Sequence, residues 1–222
     1  MTTRRLEPWL AKSSRRGGVV VDAVVLHWTA GRGEPDDLAR YFASTTRQAS
    51  YHLAVGRDGD VLQLVPLDRA AWHAGDGRLD GARPNPRSVG VALCNRGPWP
   101  QAPDELAFIG PHPKPGVRST RWEAYPRAQV EALVDVLRWL VTQLPTLRLI
   151  TGHEDVARGK IDPGPALPWD ALPLDALGLT RWRGPWPSRE LLADAAKPLP
   201  RETPTPPGVQ GGPAADPAHA RK

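Results

Sequence analysis

"VVVDAVVLHWTAG", residues 19–31, is the stretch that decides how the chain folds. Its β-branched run has no polar alternation, so it reads as a strand buried on both faces, the centre of a sheet. His27 stands at the end of that run, just before a group of small residues. A second run, "TLRLI" at 146–150, leads into "TGHEDVARGKIDPG" at 151–164 and places His153 in the same position relative to its own strand. If the two strands are parallel neighbours, both imidazoles emerge on one edge of the sheet. Asp162 follows His153 by nine positions, across a loop that contains Gly159 and Lys160 and can fold back.

The remaining elements surround these two strands. "EPDDLARYFAST" at 34–45 predicts a helix, with Pro35 in its first turn and Leu38, Tyr41 and Phe42 on one face. "SYHLAVGRDGDVLQLVP" at 50–66 predicts two strands around the turn Arg57-Asp58-Gly59. "RSVGVALCN" at 87–95 is another strand. "YPRAQVEALVDVLRWLVTQLP" at 125–145 predicts a helix that Pro126 starts and Pro145 ends, with Val130, Leu133, Val134, Leu137, Leu140, Val141 and Leu144 as its apolar stripe. Strands and helices alternate irregularly, which predicts the α/β class: a mixed central β-sheet flanked by helices in a single domain. Residues 97–124 are Pro-rich and aperiodic and read as a loop insertion.

Composition sets the outer limits. The 222 residues include 26 Pro, 21 Gly, 9 Trp and a single Cys. Much of the Pro falls after Lys197, in a stretch with almost no large apolar residue; 197–222 therefore reads as a disordered tail. Residues 1–17 read as a basic N-terminal arm and 18–176 as the main domain. Residues 177–196 read as an extension docked through Trp182 and Trp186, with a short helix from Ser188. Cys94 alone excludes a disulfide framework and a Cys-rich zinc motif, and reads as a small buried hydrophobe. No run of about 18 apolar residues is present, so no transmembrane segment is expected. The start lacks the apolar core of a signal peptide, so the chain is expected to be cytoplasmic as synthesised. The formal charge of +5 favours anionic partners, but no nucleic-acid motif or phosphate-cradling glycine loop accompanies it, and no nucleic-acid partner is expected.

Two His and one carboxylate leave a fourth tetrahedral position open, the ligand pattern of a catalytic zinc site. Non-haem iron uses the same donors, so the ligand set alone does not name the metal.

Five stretches in order, "VVLHWTAG", "SYHLAVGRDGDVLQLVP", "AAWHAG", "RSVGVAL" and "TGHEDVARGKIDPGPALPW", resemble the zinc-dependent N-acetylmuramoyl-L-alanine amidases of the type-2 class, relatives of phage lysozyme-type amidases and of peptidoglycan recognition proteins. The resemblance runs from about Val19 to about Leu172. It implies one Zn2+ ion on His27, His153 and Asp162, with Lys160 stabilising the oxyanion. It also implies hydrolysis of the amide between N-acetylmuramic acid and L-Ala, in peptidoglycan or muropeptide fragments, by a monomer. Many cytosolic members carry a Glu on the strand matching "SVGVAL", where this chain has Ala92. Phage-type relatives lack that acid and use a Tyr that matches Tyr51, which is therefore expected to orient the water or support proton transfer. His73 and Trp72 are expected at the substrate cleft, and Asn85, Arg87 and Ser88 near the peptide carboxylates, Arg87 above all. His52 alternates with Tyr51 and is expected on the opposite face as a structural residue. Glu154 and His112 carry no assigned role. The rival reading is a non-catalytic peptidoglycan-binding module, and a third is a metal hydrolase acting on another amide.

Overall fold

The computed structural model of the protein describes residues 12–184 and the backbone of Arg4–Arg5. The chain begins with strands β1 (Arg4–Arg5), β2 (Ser13–Arg15) and β3 (Ala23–Trp28), followed by helix α1 (Pro35–Ser44). Strands β4 (Leu53–Val55), β5 (Val61–Gln63) and β6 (Arg69–Ala71) come next, then helix α2 (Pro84–Arg87) and strand β7 (Ser88–Leu93). Strands β8 (Ala107–Ile109) and β9 (Arg121–Glu123) precede the long helix α3 (Arg127–Gln143). Strand β10 (Leu149–Gly152), helix α4 (His153–Val156) and strand β11 (Thr180–Arg181) complete the order.

Seven strands form one mixed sheet in the order β1-β5-β4-β7-β3-β10-β11. The β4–β5 hairpin is antiparallel, and β3 runs parallel to both β7 and β10. The β-branched run therefore occupies the interior of the sheet, and Val24, Val25 and Leu26 are fully buried. The strand is shorter than the run that predicts it, since Val19 and Val20 are exposed.

The two faces of the sheet differ. Val24, Leu26, Leu53, Val55, Val89, Val91 and Leu93 point to the face covered by α3, where Leu133, Val136, Leu137 and Leu140 complete the main core. Each such burial contributes roughly 1.5–3 kcal/mol. The expected stripe of α3 is present with two additions: Val136 is buried, and so is Gln129, whose amide donates to Val55 O and Cys94 O at the sheet end. The alternate residues face the other way, and there the side chains are small or polar: Ala23, Val25 and His27 on β3, Ser88, Gly90 and Ala92 on β7. In α1 the buried residues are Pro35, Ala39 and Phe42, while Tyr41 is exposed rather than packed.

Two sequence expectations, the arm and the insertion, need correction. The basic arm is part of the fold: β1 pairs parallel with β5, and the chain is described continuously from residue 12. β2 pairs antiparallel with β6, and buried Arg16 donates to the carbonyls of Leu67 and Pro86. In the extension, β11 adds to the sheet beside β10, and Trp182 packs on a cluster of Ala23, Val25, Ala74, Leu79 and Val156. Trp186, the helix from Ser188 and the Pro-rich tail lie outside the described residues. Finally, the insertion has structure: β8 and β9 form an antiparallel pair anchored by the fully buried Trp122. Among the described residues no helix is long and apolar enough to cross a membrane.

His52 shows what burial does to a titratable group in this fold. It precedes β4, where strict alternation does not apply, and its ring lies 5.9 Å from that of His73, on the site side rather than opposite. The Gly90 amide donates to its Nδ1 at 2.9 Å, and its Nε2 lies 3.0 Å from Arg69 O and 2.9 Å from the Arg16 guanidinium. Burial, with Arg16 alongside, pushes its pKa down to about 3. A histidine depressed in the folded state stabilises fully above its ordinary value and loses that contribution as pH falls toward the folded value. Between pH 7 and pH 5 His52 should therefore remove about 2 kcal/mol of folding stability. Urea unfolding of wild type and His52→Gln at both pH values tests this: the variant should lose less on acidification, and equal losses would refute it.

Candidate metal site

β3 and β10 run in register from Ala23↔Leu149 to Leu26↔Gly152. His27 and His153 therefore leave the sheet at the same edge, with ring centroids 4.5 Å apart. His153 begins α4 directly after β10. The loop beyond returns because the Glu154 amide donates to Asp162 O at 2.7 Å, which sets the Asp162 side chain beside His153. The Nδ1 atoms of His27 and His153 lie 3.1 and 3.0 Å from the same carboxylate oxygen, Asp162 Oδ2. The three residues are buried, and one ligand atom from each falls within 4.8 Å of the others, close enough to hold one metal ion.

The hydrogen bonds behind His27 test whether a cation fits. Ser88 Oγ lies 2.7 Å from Pro84 O, which can only accept, so the hydroxyl proton points there. His73 Nε2, 3.1 Å from Ser88 Oγ, must then donate to it. Burial, reinforced by the neighbouring His27, holds the His73 pKa well below its ordinary value, so the ring is neutral and its Nδ1 is bare. That nitrogen is 3.0 Å from His27 Nε2 and needs a proton from it. His27 is neutral as well: burial, then His153, push its pKa down to about 4. Its single proton cannot serve both neighbours. On Nε2 it satisfies His73 and leaves the Nδ1 lone pair facing Asp162; on Nδ1 it leaves two bare nitrogens face to face. A cation among the three donors removes the conflict, because each then presents a lone pair to it. Asp162 supplies the anionic donor: burial opposes its ionisation, but the two neighbouring imidazoles, His153 and His27, outweigh that and hold its pKa well below the carboxylate range.

This arrangement needs a close approach of His73 to the sheet. A Cβ on Gly90 would come within 2.5 Å of the His73 ring, so only glycine fits there.

His153 and Asp162 line a cleft of about 640 Å³ together with Trp28, Tyr41, Phe42, Tyr51, Glu34, Asp37 and Arg47, and His27 lies fully buried beside them. A second hollow of about 640 Å³ lies beyond His153, with Trp72, Arg78 and Arg158 in its wall. His73, His153 and Lys160 border both. Tyr51 is half-buried, its ring 4.9 Å from that of His27. Burial, with Asp162 nearby, raises its pKa well above the ordinary value, so it is a neutral phenol able to donate. Lys160 is exposed at the lip. Ala92 lies opposite His27 in the β3–β7 register and is fully buried.

Of the residues singled out in the sequence, His27, His153, Asp162, Lys160, Tyr51 and His73 converge here, and Trp72 borders the second hollow. Asn85 and Arg87 do not. Asn85 Oδ1 accepts from the amides of His73 and Ala74, which fixes the loop rather than facing either hollow. Arg87 forms an ion pair with Asp22 before β3, at the opposite end of the sheet. Ser88 turns inward, to His73. Sequence reading also missed Glu34 and Asp37, whose only signal is the acidic start of α1.

The N-acetylmuramoyl-L-alanine amidase family matches residues 17–165. The 1,6-anhydro-N-acetylmuramyl-L-alanine amidase AmpD of Enterobacter cloacae is 34% identical over 157 residues, which covers 69% of this chain and 68% of that protein. The N-acetylmuramoyl-L-alanine amidase AmiD of Escherichia coli (strain K12) is 30% identical over 169 residues, covering 71% and 54% respectively. Among solved structures, that of AmpD superposes with a TM-score of 0.56 at 27% identity, over 80% of this chain and 94% of that one. The E. coli AmiD complex with anhydro-N-acetylmuramic acid-L-Ala-D-γ-Glu-L-Lys gives 0.54 at 26% identity, over 78% and 63%. The chain belongs to the N-acetylmuramoyl-L-alanine amidase family.

Proposed function

We propose that this chain hydrolyses the amide joining N-acetylmuramic acid to the L-Ala of a peptidoglycan stem peptide, with one Zn2+ ion on His27, His153 and Asp162. The observation that carries the reading is the set of three buried donors whose ligand atoms lie within 4.8 Å of one another, two of them lining a cleft with Lys160 and Tyr51. Bound zinc would supply a water of lowered pKa and polarise the carbonyl. The chain's own residues then have distinct tasks. Lys160 faces the carbonyl oxygen as it gains negative charge. Tyr51 donates a hydrogen bond as a neutral phenol and fixes orientation. The free oxygen of Asp162 is a further proton acceptor, in a site where Ala92 offers none. The scissile amide lies where the two hollows meet, so sugar and stem peptide occupy opposite hollows.

Zinc-loaded protein should release free stem peptide from purified muropeptides or intact sacculi, read by mass spectrometry, and a chelator should abolish the release. Binding of muropeptide without release would support the binding-module reading instead. The preferred substrate would separate recycling of fragments from attack on the wall.

The relay behind His27 gives a further expectation. Ser88→Ala removes the acceptor for His73 Nε2 and with it the tautomer of the ligand. Zinc affinity, measured by competition with a chromophoric chelator, should fall by about 10-fold or more. Unchanged affinity would show that the relay does not set the ligand.

A further inference from the structure

The insertion read from the sequence as a loop supplies a cluster that the function above does not use. Lys114 is buried, and its ammonium donates to three carbonyls: Glu154 O at 2.9 Å, Ala157 O at 2.8 Å and Lys160 O at 2.9 Å. An ammonium has three N–H groups, and all are used. His112 is buried beside it. Its Nδ1 accepts the Lys114 amide at 2.9 Å, so its proton is on Nε2, which lies 2.9 Å from Glu154 Oε2 and 3.2 Å from Ile161 O. Tyr125, just past the insertion, donates from its hydroxyl to Pro163 O at 2.8 Å. These acceptors, at residues 154, 157, 160, 161 and 163, span the segment between the metal-facing His153 and Asp162 and reach one residue past it. None of the three donors lines either hollow. The cluster is itself anchored: the His112 ring packs 5.6 Å from that of Trp122, whose Nε1 donates to Gly110 O.

The segment needs such support. α4 has only four residues, and the turn after it exposes carbonyls that no helix satisfies. A buried carbonyl without a donor is costly, so the loop either takes partners or moves toward water. Here the partners come from a part of the chain some forty residues away in sequence.

We propose that residues 110–125 form a brace for the metal-facing loop, and that Lys114 is a positioning residue which fixes Lys160 and Asp162 relative to His153. The proposal rests on the reading of His27, His153 and Asp162 as a zinc site. Its test uses the full chain, zinc-loaded, as wild type, Lys114→Met and Tyr125→Phe. The zinc dissociation constant is read by chelator competition, amide exchange over 154–162 by mass spectrometry, and kcat and KM on a muropeptide. Lys114→Met should weaken zinc binding by about 10-fold, speed exchange over 157–161, and lower kcat while KM changes little. Tyr125→Phe removes one bond without opening a cavity, so it remains informative if the Met variant fails to fold; it should weaken zinc in the same direction by a smaller factor. Wild-type zinc affinity and kcat in the variants would overturn the brace while leaving the zinc reading intact. A wild-type protein that binds no zinc would overturn both.

Discussion

Asp162→Asn should abolish amidase turnover. The substitution keeps the shape of the side chain and removes the one anionic donor to which both imidazoles point. A neutral amide cannot balance a dication in a buried site, so the ion is lost or held too weakly to act. Several kcal/mol of transition-state stabilisation depend on it, equivalent to roughly 10³-fold in rate. Stem-peptide release and the zinc content of the purified variant should fall together. A variant that releases peptide at more than about a tenth of the wild-type rate, well under 2 kcal/mol of lost stabilisation, would remove Asp162 from the site. A variant that keeps its zinc but loses turnover would instead point to Asp162 as the proton acceptor alone.

The second large effect is expected at Lys160. Its ammonium reaches the cleft from the exposed end of a loop, and its own carbonyl is fixed by Lys114. Loss of a single oxyanion donor typically costs about 10²–10³ in kcat. An exposed lysine is partly screened by solvent, which places Lys160→Ala near the lower end, about 10²-fold. Because the charge it meets develops only in the transition state, KM should stay close to the wild-type value. An equal loss carried in KM would make Lys160 a binding residue.

These expectations draw on residues that the sequence made visible and on others it concealed. His27 and His153 could be found because each ends a hydrophobic run, and parallel pairing of two such runs brings their ends together by geometry alone. The hairpin and the long helix were legible for the same reason: their side-chain periods are local. What escaped was held by side chains that meet across long sequence separations. Ser88 was expected near the peptide carboxylates, yet it faces inward to His73. Arg87 carried the right chemistry for a carboxylate, but its partner is Asp22 at the far end of the sheet. Lys114 and His112 lie in a Pro-rich stretch with no period, where nothing local signals burial. Strands of two or three residues, such as β1, β2 and β11, are too short to show alternation.

The parallel pairing of β3 with β10 also orders events in time. His27 and Asp162 are 135 residues apart along the chain. During synthesis the first imidazole is made early and waits for almost the entire domain before its partners exist. Closing so long a loop is slow and entropically unfavourable, and it succeeds only through the sheet contacts that bring β10 beside β3. Metal competence is therefore among the last properties the nascent chain acquires, and a tightly held ion is a sign that the sheet is complete.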